Sequence, residues 1–262
     1  FVVGLTHLSM RSPHFEDTFD LLAHYIGRRP RRGPFPLESA FTWSTLLHAQ
    51  SANGISGDML EIGVEFGTSA FLLLDALGEE EHLTLIDLVK TEAWLEGCSG
   101  PYADKTNFTF IEGNSHSIQP AELPSKCRWI HVDGGHLYDH VLKDLQLTAD
   151  LLADDGILVL DDFFEIRWPD VTAAFVDFMR TGVELQPFLL VNRKIYCVRS
   201  AGMAAAYQDL FEHFIRQNAD RIGSVKAWQK VEFIGGELLV AKMDLSDRFV
   251  ALEEPHRDQA SR

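Results

Sequence analysis

The sequence has little cysteine and few basic residues for a chain of 262 residues. Its three cysteines, Cys98, Cys127 and Cys197, are far apart and lack the C-x-x-C spacing of metal and redox motifs. This usage is typical of a reducing compartment, so we expect all three to be packing residues. With 23 Lys and Arg against 39 Asp and Glu, the net charge is -16, which opposes binding to nucleic acid or to an anionic membrane.

Long apolar runs are also absent. No stretch approaches the length of about 18 residues that a membrane-spanning helix needs, and the first residues, FVVGLTHLSMRSPHFED, lack the charged-then-apolar order of a signal peptide. We therefore expect a cytoplasmic protein.

The basic residues cluster once, around Pro30, as Arg28, Arg29, Arg31 and Arg32. We interpret this cluster as a solvated loop, with contact to an anionic ligand as the alternative.

Hydrophobic spacing predicts a doubly wound, Rossmann-like α/β fold. Two helical segments, 15–27 and 38–50, form a preface, and from Gly57 onward short apolar strands alternate with helices, as in a parallel sheet with crossover connections. The expected strands are 58–63, 82–87, 107–112, 127–133 and 156–161, and the expected helices include 67–78 and 138–153.

The C-terminal third has a different pattern. Segments 187–199 and 231–243 are each divided by a turn signal and resemble β-hairpins, with a helix over 201–218 between them and a polar, mobile tail after Met243. We predict a single domain, 1–262, with three parts: a helical cap (1–50), a catalytic core (51–199) and a C-terminal extension (200–262).

The first strand runs into a glycine-rich loop, EIGVEFGTS, that contains Glu61, Gly63 and Gly67. Glycines permit a sharp turn and a close approach of a ligand, and the next helix presents its N-terminus. Glu61 would repel the pyrophosphate of a dinucleotide but would suit the cationic groups of S-adenosylmethionine. The loop therefore predicts this methyl donor rather than NAD, with a turn that binds nothing as the alternative.

Further polar residues follow the next two strands. Asp87 ends the second strand, where an acid can accept hydrogen bonds from ribose hydroxyls. Asn114 and Ser115 follow the third strand, where they either contact the adenine of the donor or form a turn.

Three acids follow the fourth and fifth strands. Asp133 ends the fourth strand, and Asp161 and Asp162 end the fifth. Neighbouring strands lie about 4.8 Å apart, so we expect these carboxylates to converge. Because they would repel one another without a cation, we predict a Mg²⁺ site, with helix capping as the alternative.

His136, three residues after Asp133, has an ordinary pKa of about 6.5 and is the predicted base. His116, His131 and His140 are weaker candidates.

EIGVEFGTS, Asp87, VDGGHLYD and LDDFFEIRWPDVTAAFVDF together resemble class I S-adenosylmethionine-dependent methyltransferases. They look most like the metal-dependent O-methyltransferases of the macrocin and aminocoumarin sugar type from bacterial antibiotic pathways. The resemblance implies a seven-stranded, mostly parallel sheet and places Mg²⁺ on Asp133, Asp161 and Asp162. It departs at the base: the sugar-methylating relatives often carry an aspartate where Gly135 stands, and catechol-type relatives carry a lysine where His136 stands.

We therefore expect a Mg²⁺-dependent O-methyltransferase with Asp133 and His136 as catalytic residues. Its partner would be a small hydroxylated natural product bearing a sugar or vicinal diol, with Phe163, Phe164 and Trp168 either walling the acceptor pocket or filling the core. Neither nucleic acid nor membrane is expected as a partner, and a homo-oligomer is left open. The alternatives are a metal-independent N- or C-methyltransferase and a nucleotide-binding module without catalysis.

Overall fold

The computed structural model of the protein describes residues 9–29, 33 and 35–257. Over these residues the chain forms nine strands: β1 (Asp58–Ile62), β2 (Leu83–Asp87), β3 (Phe108–Glu112), β4 (Cys127–Val132), β5 (Leu152–Leu160), β6 (Gln186–Val191), β7 (Lys194–Val198), β8 (Gly223–Phe233) and β9 (Gly236–Leu245). The helices of the same residues are α1 (Phe15–Arg28), α2 (Leu37–Ala52), α3 (Thr68–Ala76), α4 (Glu92–Ser99), α5 (Tyr138–Ala149), α6 (Pro169–Arg180), α7 (Ala201–Gln217), α8 (Ala219–Ile222) and α9 (Asp247–Arg257).

The strands of this described chain join one mixed sheet, in the order β3-β2-β1-β4-β5-β7-β6-β9-β8. Strands β1 to β5 pair in parallel, and β7 runs antiparallel to β5. The predicted doubly wound α/β fold is confirmed, but the expected seven strands are too few. The second hairpin joins the sheet because β9 pairs with the outer edge of β6 over Leu189–Val191 and satisfies backbone groups that would otherwise be unpaired.

Two predicted segments differ from the structure. The helix expected over 138–153 ends at Ala149, because Leu152 already pairs with Cys127 of β4. The tail expected to be polar and mobile contains α9, which is fixed by an aromatic contact: Phe249 is buried, and its ring centroid lies 5.2 Å from that of Phe41. In both places a tertiary contact outweighs the local sequence pattern.

The sheet separates two apolar cores. Alternate residues of each strand face opposite sides, so Trp129 belongs to a core covered by α1, α2, α3 and α7, whereas Ile130 belongs to a core covered by α5 and α6. Helix α2 is buried along most of its length, and its Trp43 ring lies 5.1 Å from that of Trp129. The predicted helical preface is therefore an integral part of the core.

The cysteines and the described arginines of the basic cluster have structural roles. Cys127 and Cys197 are buried, Cys98 is partly buried, and all three are free. Arg28 forms an ion pair with Asp104, and Arg29 forms one with Glu253. Pro30, Arg31 and Arg32 lie outside the described residues. None of the helices in the described part of the chain has the length and apolarity needed to cross a membrane.

A buried ion pair connects β4 to the loop before β2. Arg128 donates to both carboxylate oxygens of Glu81, at 2.7 Å each, and to the Gln50 side chain at 2.9 Å. Burial raises the pKa of Glu81, but the hydrogen bonds from Arg128 and from the backbone, together with the Arg128 charge, outweigh this effect and lower it. The carboxylate is therefore charged in the folded protein and balances a guanidinium that is 1% exposed.

Replacing Glu81 with glutamine should destabilise the protein by about 3 kcal/mol near neutral pH, because Arg128 keeps a buried charge and loses its partner. Since the folded-state pKa is lowered, the contribution of Glu81 is complete above its ordinary pKa of about 4.3 and is lost as the pH falls through the lower folded value. Urea unfolding of both proteins near neutral pH and in acid measures the difference, which should shrink in acid. Glu79→Gln, an exposed change in the same loop, is the control; an equal loss in the two variants would contradict this role.

Candidate active site

The carboxyl edge of β4 and β5 carries the predicted acids. Val132 lies opposite Leu160, so the next residues, Asp133 and Asp161, stand side by side. On the other side of β4, Gly63 follows β1 with a φ of 88°, and a Cβ added there would overlap the backbone carbonyl of Asp133. Glycine is required for this approach, and it brings the first loop next to the acids.

Asp161 and Asp162 are adjacent in sequence but have different partners. Asp162 has a φ of 54°, a left-handed conformation that aspartate tolerates better than most residues. Its Oδ2 lies 3.1 Å from His136 Nε2, whereas the Asp161 carboxylate forms an ion pair with the ammonium of Lys194. Burial favours the neutral form of Asp161, but the Lys194 charge keeps the pKa of this carboxyl well below its usual value. The local backbone thus separates two like charges and gives each a cation.

Among the described residues, no lysine or arginine forms an ion pair with Asp133. Burial, and then the charge of Asp161, raise the pKa of Asp133 to about 6. His136 Nε2 lies 3.8 Å from Asp133 Oδ1, and the imidazole stacks on Trp168 with ring centroids 4.6 Å apart. Interaction with Asp133 and then Asp162 raises the pKa of His136 to about 9, so this histidine is protonated at neutral pH. The predicted base therefore acts first as a counter-charge to the acids.

Two overlapping sets of possible metal ligands occur among the described residues, and both contain Asp133. The inner group is His131, Asp133 and Asp161, and the outer group is Asp133, His136 and Asp162; in each, one ligand atom per residue lies within 4.8 Å of the others. Nε2 of the buried His131 has no hydrogen-bond partner. The three predicted metal ligands are thus divided between two groups rather than combined in one.

These groups open into a cavity of about 700 Å³. Its lining includes all the predicted catalytic and metal residues and most of the predicted donor residues, namely Gly63, Asp87, Asn114, Ser115, Asp133, His136, Asp161 and Asp162. A volume of this size is within the range of about 300–1,000 Å³ typical of small-molecule sites. One cavity therefore joins the first loop to the acid cluster.

Glu61 and Gly67 do not line this cavity. Glu61 is buried and accepts a hydrogen bond from the Ser69 hydroxyl, and its Oε1 lies 2.7 Å from His131 Nδ1. The direct contact between Glu61 and a cationic donor stays a prediction; in this structure the partners of the carboxylate are Ser69 and His131. Gly67 begins α3 at a φ of 77°, and its missing Cβ makes room for the rings of Phe71 and Trp94.

The other predicted donor residues line the cavity and also shape its loops. Asp87 Oδ2 accepts hydrogen bonds from the backbone N–H groups of Val64 and Glu65, both at 2.7 Å. Asn114 caps a turn by accepting from the His116 N–H at 3.0 Å, and Ser115 donates to Asp144 at 2.6 Å. Asp87 is thus the residue that fixes the first loop against β2.

The sequence did not identify Lys194 and Arg193 as site residues, although both line the cavity. The available signal was a lysine at the start of the otherwise apolar strand β7.

Of the predicted aromatic walls, Trp168 lines the cavity and Phe164 is 60% exposed, whereas Phe163 is buried in the core. Phe35, between α1 and α2, lines it as well, and none of the described residues beyond Lys194 does.

Residues 60–163 match a family model described as a methyltransferase domain. A search of curated proteins gives no match. A solved structure of the O-methyltransferase NovP has a TM-score of 0.56 and 13% identity, covering 70% of this chain and 98% of that one. The SAH-bound methyltransferase PaMTH1 of Podospora anserina has a TM-score of 0.50 and 16% identity, covering 74% and 91%. At these identities the structural likeness establishes the fold alone, and the family match shows that residues 60–163 are similar to a methyltransferase domain.

The predicted class I methyltransferase fold is therefore confirmed, and residues 60–163 are similar to a methyltransferase domain. The family match runs from Leu60, within β1, to Phe163 and includes the first loop, Asp87, Asp133 and both acids after β5.

Asp87→Asn should weaken the binding of S-adenosylhomocysteine by about tenfold or more, because the hydrogen bonds that hold the first loop lose their charge assistance and the amide nitrogen cannot accept the one from Leu88. Isothermal titration calorimetry measures this affinity. Glu112→Gln, which changes the acid opposite Asp87 on β3 and outside the cavity, is the matched control. Unchanged affinity in Asp87→Asn would show that this loop does not depend on Asp87.

Proposed function

We propose that this methyltransferase transfers a methyl group from S-adenosylmethionine to a hydroxyl oxygen of a small acceptor, with the help of Mg²⁺. One observation carries the proposal: the acids Asp133, Asp161 and Asp162 line the same cavity as the first loop and Asp87. Donor binding and acceptor activation would therefore take place in one compartment.

The donor fits the side of the cavity formed by Gly63, Asp87, Asn114 and Ser115. Gly63 leaves the end of β1 without a side chain, and Asp87 holds the loop that follows. Thr68 and Ser69, at the N-terminus of α3, also line this side and offer hydroxyl groups. These residues would position the donor so that its methyl group is directed towards the acids.

The metal fits the other side. Carboxylate oxygens are the ligands that Mg²⁺ prefers, and Asp133, Asp161 and Asp162 would hold it. A bound divalent ion stabilises negative charge on the acceptor oxygen. Burial, and then the charge of Asp161, raise the pKa of Asp133, and interaction with Asp133 and Asp162 raises the pKa of His136. A bound cation would balance the charge of these acids.

His136 is the proposed proton acceptor for the acceptor hydroxyl. Its contacts with Asp133 and Asp162 hold the imidazole in the cavity, and Trp168 fixes the plane of the ring. The negative charge of these two acids raises its pKa, so neutralising that charge would make His136 a better base at neutral pH. Asp133 would then serve both as a ligand and as the residue that orients the base.

The acceptor is proposed to be a natural product with a sugar or vicinal diol, as the motifs of the sugar-methylating family suggest. Two exposed apolar side chains follow the acids in sequence, Leu137 four residues after Asp133 (61% exposed) and Ile166 four after Asp162 (91% exposed), and would cover an apolar part of such a molecule. The net charge of -16 supports a small molecule rather than a nucleic acid.

Asp162→Ala should lower methyl transfer by roughly a hundredfold in the presence of Mg²⁺ while S-adenosylhomocysteine still binds, because the acceptor oxygen loses its charge stabilisation. Transfer from labelled donor to a panel of glycosides and catechols measures the activity. Asp177→Ala, an exposed change on α6, should behave as wild type.

A metal-independent N- or C-methyltransferase is the second candidate, because Lys194 and His136 already supply positive charge to the acids. Chelation distinguishes the two. EDTA should abolish transfer by an O-methyltransferase of the proposed kind, and added Mg²⁺ should restore it; transfer that is insensitive to EDTA would favour the second candidate.

A further inference from the structure

Lys194 is an unusual residue for the first position of a buried strand. Its side chain is 3% exposed, and its ammonium forms an ion pair with Asp161. The same ammonium lies 5.5 Å from the ring centre of Phe35 and 5.8 Å from that of Trp43. Enclosed by two aromatic rings and a carboxylate, this charge has little freedom to move away.

The hairpin between β6 and β7 holds Lys194 in place. Asn192 and Arg193 form its turn with φ values of 47° and 65°, and the Asn192 amide donates to Ser39 of α2 at 2.9 Å. Arg193 turns towards Glu165, with which it forms an ion pair. The turn thus directs Arg193 to Glu165 and Lys194 to Asp161.

This arrangement distributes charge unequally between the two groups of possible ligands. Asp161, in the inner group, has Lys194 as a permanent partner, and Glu165 has Arg167 and Arg193. In the outer group, Asp162 has His136 at 3.1 Å and Arg193 at 3.8 Å. Asp133, which belongs to both groups, has His136 at 3.8 Å and the Lys194 charge farther away. Among the described residues, no lysine is paired with Asp133 or Asp162 as Lys194 is with Asp161, so these two acids are the freer ligands for a further cation.

We propose that Lys194 is a built-in cation of the inner group, which competes with a divalent ion for Asp161 and directs that ion to Asp133 and Asp162. The inference rests on the proposed metal dependence. Two consequences follow from Coulomb repulsion between an ammonium and a divalent ion that share a carboxylate. The ion binds more weakly than it would to three free acids, and the acid cluster stays folded when no ion is bound.

Titration with Mn²⁺ tests this role, followed by calorimetry and by the electron paramagnetic resonance signal of free Mn²⁺, without any acceptor. Lys194→Met removes the charge and keeps most of the side-chain volume. We expect it to bind Mn²⁺ about tenfold or more tightly than wild type, because the competing cation is gone. Lys194→Arg retains the charge and should stay close to wild type. Lys226→Met makes the same change on the exposed part of β8 and controls for net charge.

The melting temperature provides a second measurement. Lys194→Met leaves Asp161 without its cation, so it should melt at a lower temperature than wild type in metal-free buffer and regain more stability than wild type on addition of Mn²⁺. If Lys194→Met does not fold, Lys194→Gln, whose amide can still donate to Asp161, takes its place in both measurements.

The outcomes separate this inference from the proposed function. Tighter Mn²⁺ binding by the uncharged variants, whether or not wild type binds measurably, supports it. Equal or weaker binding by these variants, with clear binding by wild type, overturns it and leaves the metal-dependent function intact. Absence of Mn²⁺ binding in every variant overturns the inference and the proposed metal dependence together.

Discussion

Repulsion between carboxylates is the constraint that organises this molecule around its cavity. Parallel pairing of β4 with β5 puts Asp133 beside Asp161, and the chain then continues directly into Asp162. The fold accommodates these charges by a left-handed turn at Asp162 and by cations from the β6–β7 hairpin. The hairpin, which follows the core motifs in sequence, is therefore part of the electrostatics of the site.

A second polar cluster lies beneath the edge of the sheet. Ser69, Glu61 and His131 are linked by hydrogen bonds in the buried region between α3, β1 and β4, and His131 belongs to the inner group together with Asp133. The Trp43 ring of α2 packs against the His131 imidazole with centroids 4.7 Å apart. Because buried polar groups need such partners, this cluster gives Glu61 a structural role and connects the first loop, the acids and the helical preface.

The methyltransferase core thus depends on segments outside the family match. Phe35, from the loop before α2, and Lys194, from β7, both line the cavity, although the match covers residues 60–163. The second hairpin, by contrast, extends the sheet beyond β6 and contributes no described residue to the cavity. The segments outside the match therefore differ in their relation to the site. Phe35 and Lys194 line the cavity, whereas the second hairpin only extends the sheet.

The sequence by itself determined the alternation of strands and helices and the position of the acids after β4 and β5. These features follow from local apolar periodicity and from the rule that parallel strands present their carboxyl ends at one edge. Tertiary structure alone decided the pairing of β9 with β6, the burial of Glu61 and the placement of Lys194 beside Asp161. Such contacts join residues far apart in the chain, where packing and charge in three dimensions decide the partners, and no local pattern encodes them.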